Sequence, residues 1–158
     1  MQHRLPAAQT NLPFAQKRAG RHVTMLDRRS PSAPQPAMTD IPLPKFSLTR
    51  RTGALVFVSG QMAFGEGFRI VGEGVAAQTR TCLEHLERHL ASEGLSRADI
   101  VKTTVWLTRV EDFRAFDQAY GEFFGNATLP TRSTVRADLM LPGALVEIEA
   151  VAQIRSAS

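Results

Sequence analysis

The chain has 158 residues, enough for one domain and short for two. Its composition, 43% apolar and 22% charged, is that of an ordinary globular protein. The longest apolar run is the five residues Ala54 to Val58, against the roughly 20 a membrane span requires, so no membrane role is expected. A single cysteine, Cys82, excludes an internal disulfide framework and fits a reducing, cytoplasmic setting.

A net charge of +4 invites a nucleic-acid reading, but the distribution opposes it. Residues 1–37 hold six of the 19 basic groups and one of the 15 acidic ones, leaving 13 basic against 14 acidic groups for residues 38–158. The excess charge therefore belongs to the N-terminal segment. Seven of the nine prolines fall at or before Pro44, and no helical or strand period survives there. Residues 1–37 are therefore expected to be a disordered basic, proline-rich extension, and residues 38–158 the domain. A secretory signal is excluded by the lack of an apolar core. A transit peptide fits the arginines but not the sparse serines. The reading preferred is an upstream start, with Met38 as initiator.

From Phe46 the pattern is regular. A short strand is expected near Phe46 to Leu48, followed by a buried strand, Ala54 to Val58, between Thr52-Gly53 and Ser59-Gly60. After a turn-rich loop from Gly65 to Gly74, Val75, Thr79, Cys82, Leu83, Leu86 and Leu90 mark one helix face, with Gly94 as its left-handed stop. Val101, Thr103, Val105 and Leu107 alternate with polar neighbours as a strand. Phe113, Phe116, Tyr120, Phe123 and Phe124 define a second helix ending near Gly125-Asn126, and strands Arg132 to Ala137 and Leu145 to Gln153 close the chain. Two helices cover only one face of such a sheet, so the expected class is α+β, a mixed sheet whose second face is covered by oligomerisation.

The last strand carries an anomaly. One face reads Leu145, Glu147, Glu149, Val151, placing two carboxylates together on a strand otherwise built for burial. An unpaired buried charge costs several kcal/mol, so at least one is expected to meet a cation or a polar site. The preceding strand offers Arg132 and Arg136 on one face. For Glu149 and Arg136 the plain reading is a salt bridge between adjacent strands or between subunits. Arg132, at a strand entry, suits bidentate capture of a small carboxylate, and Glu147 suits the holding or deprotonation of a water. For this pair the functional and structural readings both stay open on pattern alone.

Other constellations are weaker. Cys82, His85 and His89 flank one helix but are better read as a core cysteine with solvated histidines than as a metal stripe. The glycines at 65, 67, 72 and 74 lack phosphate-loop spacing. The aromatic residues of the second helix read as core rather than as a base-stacking platform.

Strung together, Val58-Ser-Gly-Gln61, Ala77-Gln-Thr79, Ile100-Val-Lys-Thr-Thr-Val105, Asp112-Phe113, Tyr120 with Phe123-Phe124, Pro130-Thr-Arg-Ser133 and Glu147-Ile-Glu-Ala-Val-Ala152 resemble the Rid/YjgF family of reactive-intermediate enamine/imine deaminases over residues 42–154. The resemblance implies a chorismate-mutase-like fold and a homotrimer with clefts between subunits. It implies hydrolysis of 2-aminoacrylate-type enamines and imines to 2-keto acids and ammonia, with no metal or organic cofactor. It also implies that Arg132 binds the substrate carboxylate, that Glu147 positions water, and that Ser59 and Gly60 line the pocket. Three positions depart from the family pattern. Phe46 replaces a tyrosine, Asp117 an asparagine in the second helix, and Thr134 a cysteine two residues after the arginine. The alternative reading is a non-catalytic trimer that binds a small keto acid. RNA binding, also attached to parts of this family, is opposed by the neutral domain.

Overall fold

The computed structural model describes residues 45–155; the expectations for residues 1–37 and for Met38 fall outside them. The described chain runs β1 (Thr49–Thr52), β2 (Leu55–Gln61), α1 (Gly74–Ser92), β3 (Ile100–Leu107), α2 (Phe113–Phe124), β4 (Thr131–Arg136) and β5 (Val146–Gln153), with short 3₁₀ turns between. The five strands form one sheet in the order β1-β2-β5-β3-β4. Pairing is antiparallel except between β3 and β4, which run parallel because α2 carries the chain back to the starting end. This is the expected α+β class.

Each boundary has a local cause. Helix α1 ends in a Schellman closure, with Leu95 N–H on the Leu90 carbonyl at 2.9 Å and Gly94 N–H on Ala91 at 3.1 Å. Gly94 supplies the required left-handed residue at φ +73°. Ser96 and Asp99 form a capping box that turns the chain into β3. Pairing of β1 begins at Thr49 rather than near Phe46, because β2 bulges after Val58. Beyond Val58, Leu48 is held only by Ser59 N–H on its carbonyl at 3.0 Å.

The core lies between the sheet and the two helices. Val56 and Val58 of β2, Val105 and Leu107 of β3 and Val146, Ile148, Ala150 and Ala152 of β5 meet Cys82, Leu83, Leu86 and Leu90 of α1 and Phe116, Tyr120 and Phe124 of α2. All six α1 residues expected on the buried face are buried. Two hydroxyls enclosed there, those of Thr103 and Tyr120, satisfy each other through a hydrogen bond of 2.8 Å.

Strand β2 is buried on one side only: Val56 and Val58 are enclosed, while Phe57 is 44% exposed. Leu55, Phe57 and Val135 leave apolar area on the sheet face opposite the helices. Phe116 of α2 is fully buried in the core, so Phe116→Ala should destabilise the chain by about 3–5 kcal/mol, read from urea unfolding of the two proteins.

Candidate active site

Side chains alternate along a strand, so the register decides which face each candidate occupies. Arg132 pairs with Thr103, and Thr134 with Val105, both partners being buried under the helices. Arg132 and Thr134 therefore lie on the helix side of the edge strand β4. Glu147 pairs with Trp106 and Glu149 with Thr104, on the opposite, uncovered face. Strands β4 and β5 are also separated by β3. The expected salt bridge between adjacent strands is thus corrected. Arg136 and Glu149 stand on non-adjacent strands and opposite faces, and neither forms an ion pair among the described residues.

The candidates fall into two clusters. On the helix side, the Arg132 guanidinium rests on the aromatic row of α2, 4.6 Å from the Tyr120 ring centre, 5.1 Å from Phe116 and 5.8 Å from Phe113. One of its nitrogens donates to Asp117 Oδ1 at 2.7 Å. The hydroxyl of Thr134 is buried without a hydrogen-bond partner among the described residues. The aromatic stripe has a use that the core reading of the sequence did not give it: it seats the arginine. The signal was the spacing of Phe113, Phe116 and Tyr120, which lines one helix face from end to end.

The second cluster surrounds the bulge of β2, where Ser59 and Gly60 lie between the pairs Val58–Ala150 and Gln61–Ile148. Ser59 Oγ donates to the Ser47 carbonyl at 2.7 Å, fixing the segment that carries Phe46, itself 57% exposed. Gly60 is required by crowding. A Cβ there would stand 2.1 Å from Glu147 Oε1, so glycine is what lets the carboxylate lie against the bulge. Gln61 secures the bulge by donating to the Ser59 carbonyl at 2.9 Å, while its Oε1 lies 3.3 Å from His89 Nε2. In the sequence Gln61 stood out only as part of a motif; a glutamine ending an apolar strand was its signal.

Burial first, and the neighbouring Glu149 charge second, push the Glu147 carboxyl above its ordinary range. A carboxyl raised in this way is poised to accept a proton nearer neutrality. Cys82 is buried under β5 and its thiol is driven upward chiefly by that burial, so it is inert core. His85 is buried against the Phe64 ring rather than solvated, a correction to the sequence expectation, because its imidazole fills the space below the loop after β2. Among the described residues no cluster of histidine, cysteine and carboxylate groups is arranged to hold a metal. A groove of about 250 Å³ between α1 and α2 contains neither Arg132 nor Glu147. Both of its arginines are already engaged, Arg97 with Glu87 at 2.6 Å and Arg80 with Glu122 at 3.3 Å.

Residues 38–154 match the sequence profile of a family described as Endoribonuclease L-PSP. The 2-iminobutanoate/2-iminopropanoate deaminase of Salmonella typhimurium strain LT2 is 38% identical over 102 residues, 63% of this chain and 80% of that protein. The putative reactive intermediate deaminase TdcF of Escherichia coli K12 is 37% identical over 107 residues, 66% of this chain and 82% of its own. The chain belongs to the YjgF/Rid family. Its fold agrees with the crystal structure of the E. coli YjgF gene product, at a TM-score of 0.67 and 32% identity over 72% of this chain and 91% of that one. E. coli TdcF with bound serine superposes at 0.66 with 34% identity, covering 73% and 91%. The family assignment thus rests on sequence and fold together.

Gly60→Ala tests the packing of the second cluster. The added methyl should turn Glu147 toward solvent, so its carboxyl pKa, followed by NMR titration, should fall toward the ordinary range. Urea stability should change by less than about 1 kcal/mol, since only the end of a flexible side chain has to move.

Proposed function

We propose that this protein is a hydrolytic deaminase of reactive enamines and imines, working at a site completed between two copies of the chain. The observation that carries this reading is the placement of Arg132 and Glu147 on opposite faces of one sheet. One chain does not bring them together, whereas a neighbour docked against the uncovered face would set its arginine cluster beside the glutamate cluster. A homotrimer, the state implied by the family resemblance, supplies such clefts and covers the exposed Leu55 and Phe57. The deaminase names of the S. typhimurium and E. coli relatives support the reaction class.

In this mechanism Arg132 binds the carboxylate of a 2-imino acid, its guanidinium pre-oriented by the aromatic rings of α2. A 2-aminoacrylate-type enamine first takes a proton at its terminal carbon to give the imine. A water held by Glu147 then attacks the imine carbon, the C–O bond forming as a proton passes to the carboxylate. The carbinolamine nitrogen takes that proton, the C–N bond breaks as the C=O bond forms and the hydroxyl proton passes to Glu147, and ammonia leaves a 2-keto acid. The carboxyl is well suited to this exchange because burial raises its proton affinity. No metal or organic cofactor is used, and the reaction is assigned to the cytoplasm, where enamines and imines are released. Ser59 and Gly60 shape the wall of the site. Phe46 gives that wall an apolar ring where the family pattern has a hydroxyl, and Thr134 presents its unpaired hydroxyl from the arginine side.

A second reading, a non-catalytic trimer that holds a small keto acid, is favoured by one observation: Asp117 already engages Arg132. Turnover separates the two. RNA is disfavoured as a partner because residues 38–158 carry a net charge of −1 (13 basic against 14 acidic groups), whereas the phosphate backbone requires clustered cations.

The test is a coupled assay in which a dehydratase releases the enamine and keto-acid formation is timed with and without the protein. Wild type should accelerate release, Arg132→Ala should not, and Arg132→Lys should lose most of the effect because the planar fork is gone. Acceleration by Arg132→Ala equal to wild type would sink the deaminase reading. Binding of keto acid without acceleration by wild type would favour the binding module.

The pH profile follows from the same carboxyl. Glu147 must be ionised to accept the proton, so kcat should rise with pH through its elevated pKa. Glu149→Gln removes one cause of that elevation and should move the acidic limb to lower pH. An unmoved limb would show that another group controls it.

A further inference from the structure

We infer that Asp117 is a specificity-determining residue: by neutralising Arg132 it makes the carboxylate site select zwitterionic acids over simple anions. The inference rests on the deaminase reading of the site and deepens it. Asp117 Oδ1 accepts a hydrogen bond from Arg132 at 2.7 Å. The Arg132 side chain is 22% exposed and that of Asp117 51%, so the pair stands at the mouth of the arginine cluster rather than beneath it. Only one guanidinium nitrogen is engaged by a side chain among the described residues, and the remaining N–H groups are free to receive a carboxylate. The Tyr120 and Phe116 rings hold the guanidinium plane from beneath, so Arg132 keeps its place when a ligand arrives.

An incoming carboxylate therefore meets an arginine whose charge is already balanced by a negative oxygen against it. A 2-keto acid brings only its negative charge and is opposed by Asp117. An amino acid, or a protonated imino acid, carries a cationic nitrogen one carbon away from the carboxylate. When that carboxylate lies on Arg132, the nitrogen comes within reach of Asp117, which then attracts the ligand that the imine form resembles and repels the keto acid it becomes. The aspartate thus distinguishes substrate from product by charge.

The experiment compares pyruvate with alanine, two three-carbon acids that differ in the cationic nitrogen, by NMR titration of the full-length protein. In Asp117→Asn, pyruvate should bind about three- to fivefold more tightly, the scale set by loss of one partly exposed charge interaction, while alanine tightens less than about twofold or weakens. Asp117→Ser should shift the pyruvate-to-alanine preference in the same direction, which guards against an effect peculiar to asparagine. An unchanged preference in both variants would overturn the inference. Arg132→Ala should lose both ligands. Wild-type binding of both by Arg132→Ala, or no binding of either by wild type, would instead overturn the assignment of the site, and the inference with it.

Discussion

One geometric constraint organises this molecule: a strand sends successive side chains to opposite faces, and two helices cover only one face of five strands. The helix side becomes a packed core. The other side is left with Leu55 and Phe57 beside the two half-buried carboxylates of β5. Because β3 lies between β4 and β5, the same constraint parts the arginine from the glutamate. Within one chain, therefore, the arginine cluster and the carboxylates beside the exposed apolar area stay apart.

Much of this was legible in the sequence. The Leu and Cys stripe of α1, the aromatic stripe of α2 and the alternation along β3 and β5 all follow the period of the element that carries them, and Gly94 marked a helix end through its backbone alone. The paired carboxylates stood out because charge in a buried pattern is costly. Strand adjacency was not legible. The adjacent-strand alternative for Arg136 and Glu149 failed because it took neighbours in sequence as neighbours in the sheet, whereas β5 inserts between β2 and β3. The start of β1 was misplaced because a bulge on the partner strand, two residues facing one, leaves no periodic trace. His85 was read as solvated because only the fold brings the Phe64 ring over it.

The candidate site divides along the same line. Arg132, Glu147, Ser59 and Gly60 were reached from residue type and motif, but what positions them is tertiary. The aromatic bed beneath Arg132 comes from a helix, and the space for Glu147 comes from the absence of a side chain at Gly60 on another strand. Asp117 is the reverse case: its departure from the family pattern was visible in the sequence, but its partner was not.

The bulge in β2 also bears on how this chain tolerates length change. It absorbs one extra residue while keeping Val58 and Gln61 in register with β5. Deleting either Ser59 or Gly60 would leave a regular ladder with Gln61 still opposite Ile148, but it would remove either the hydroxyl that holds Ser47 or the space that Glu147 fills. Insertions in the exposed turns at Gly53 or Gly143 would disturb neither. Drift in length along this lineage should therefore collect in those turns and spare the five residues from Val58 to Met62, whatever happens to their chemistry.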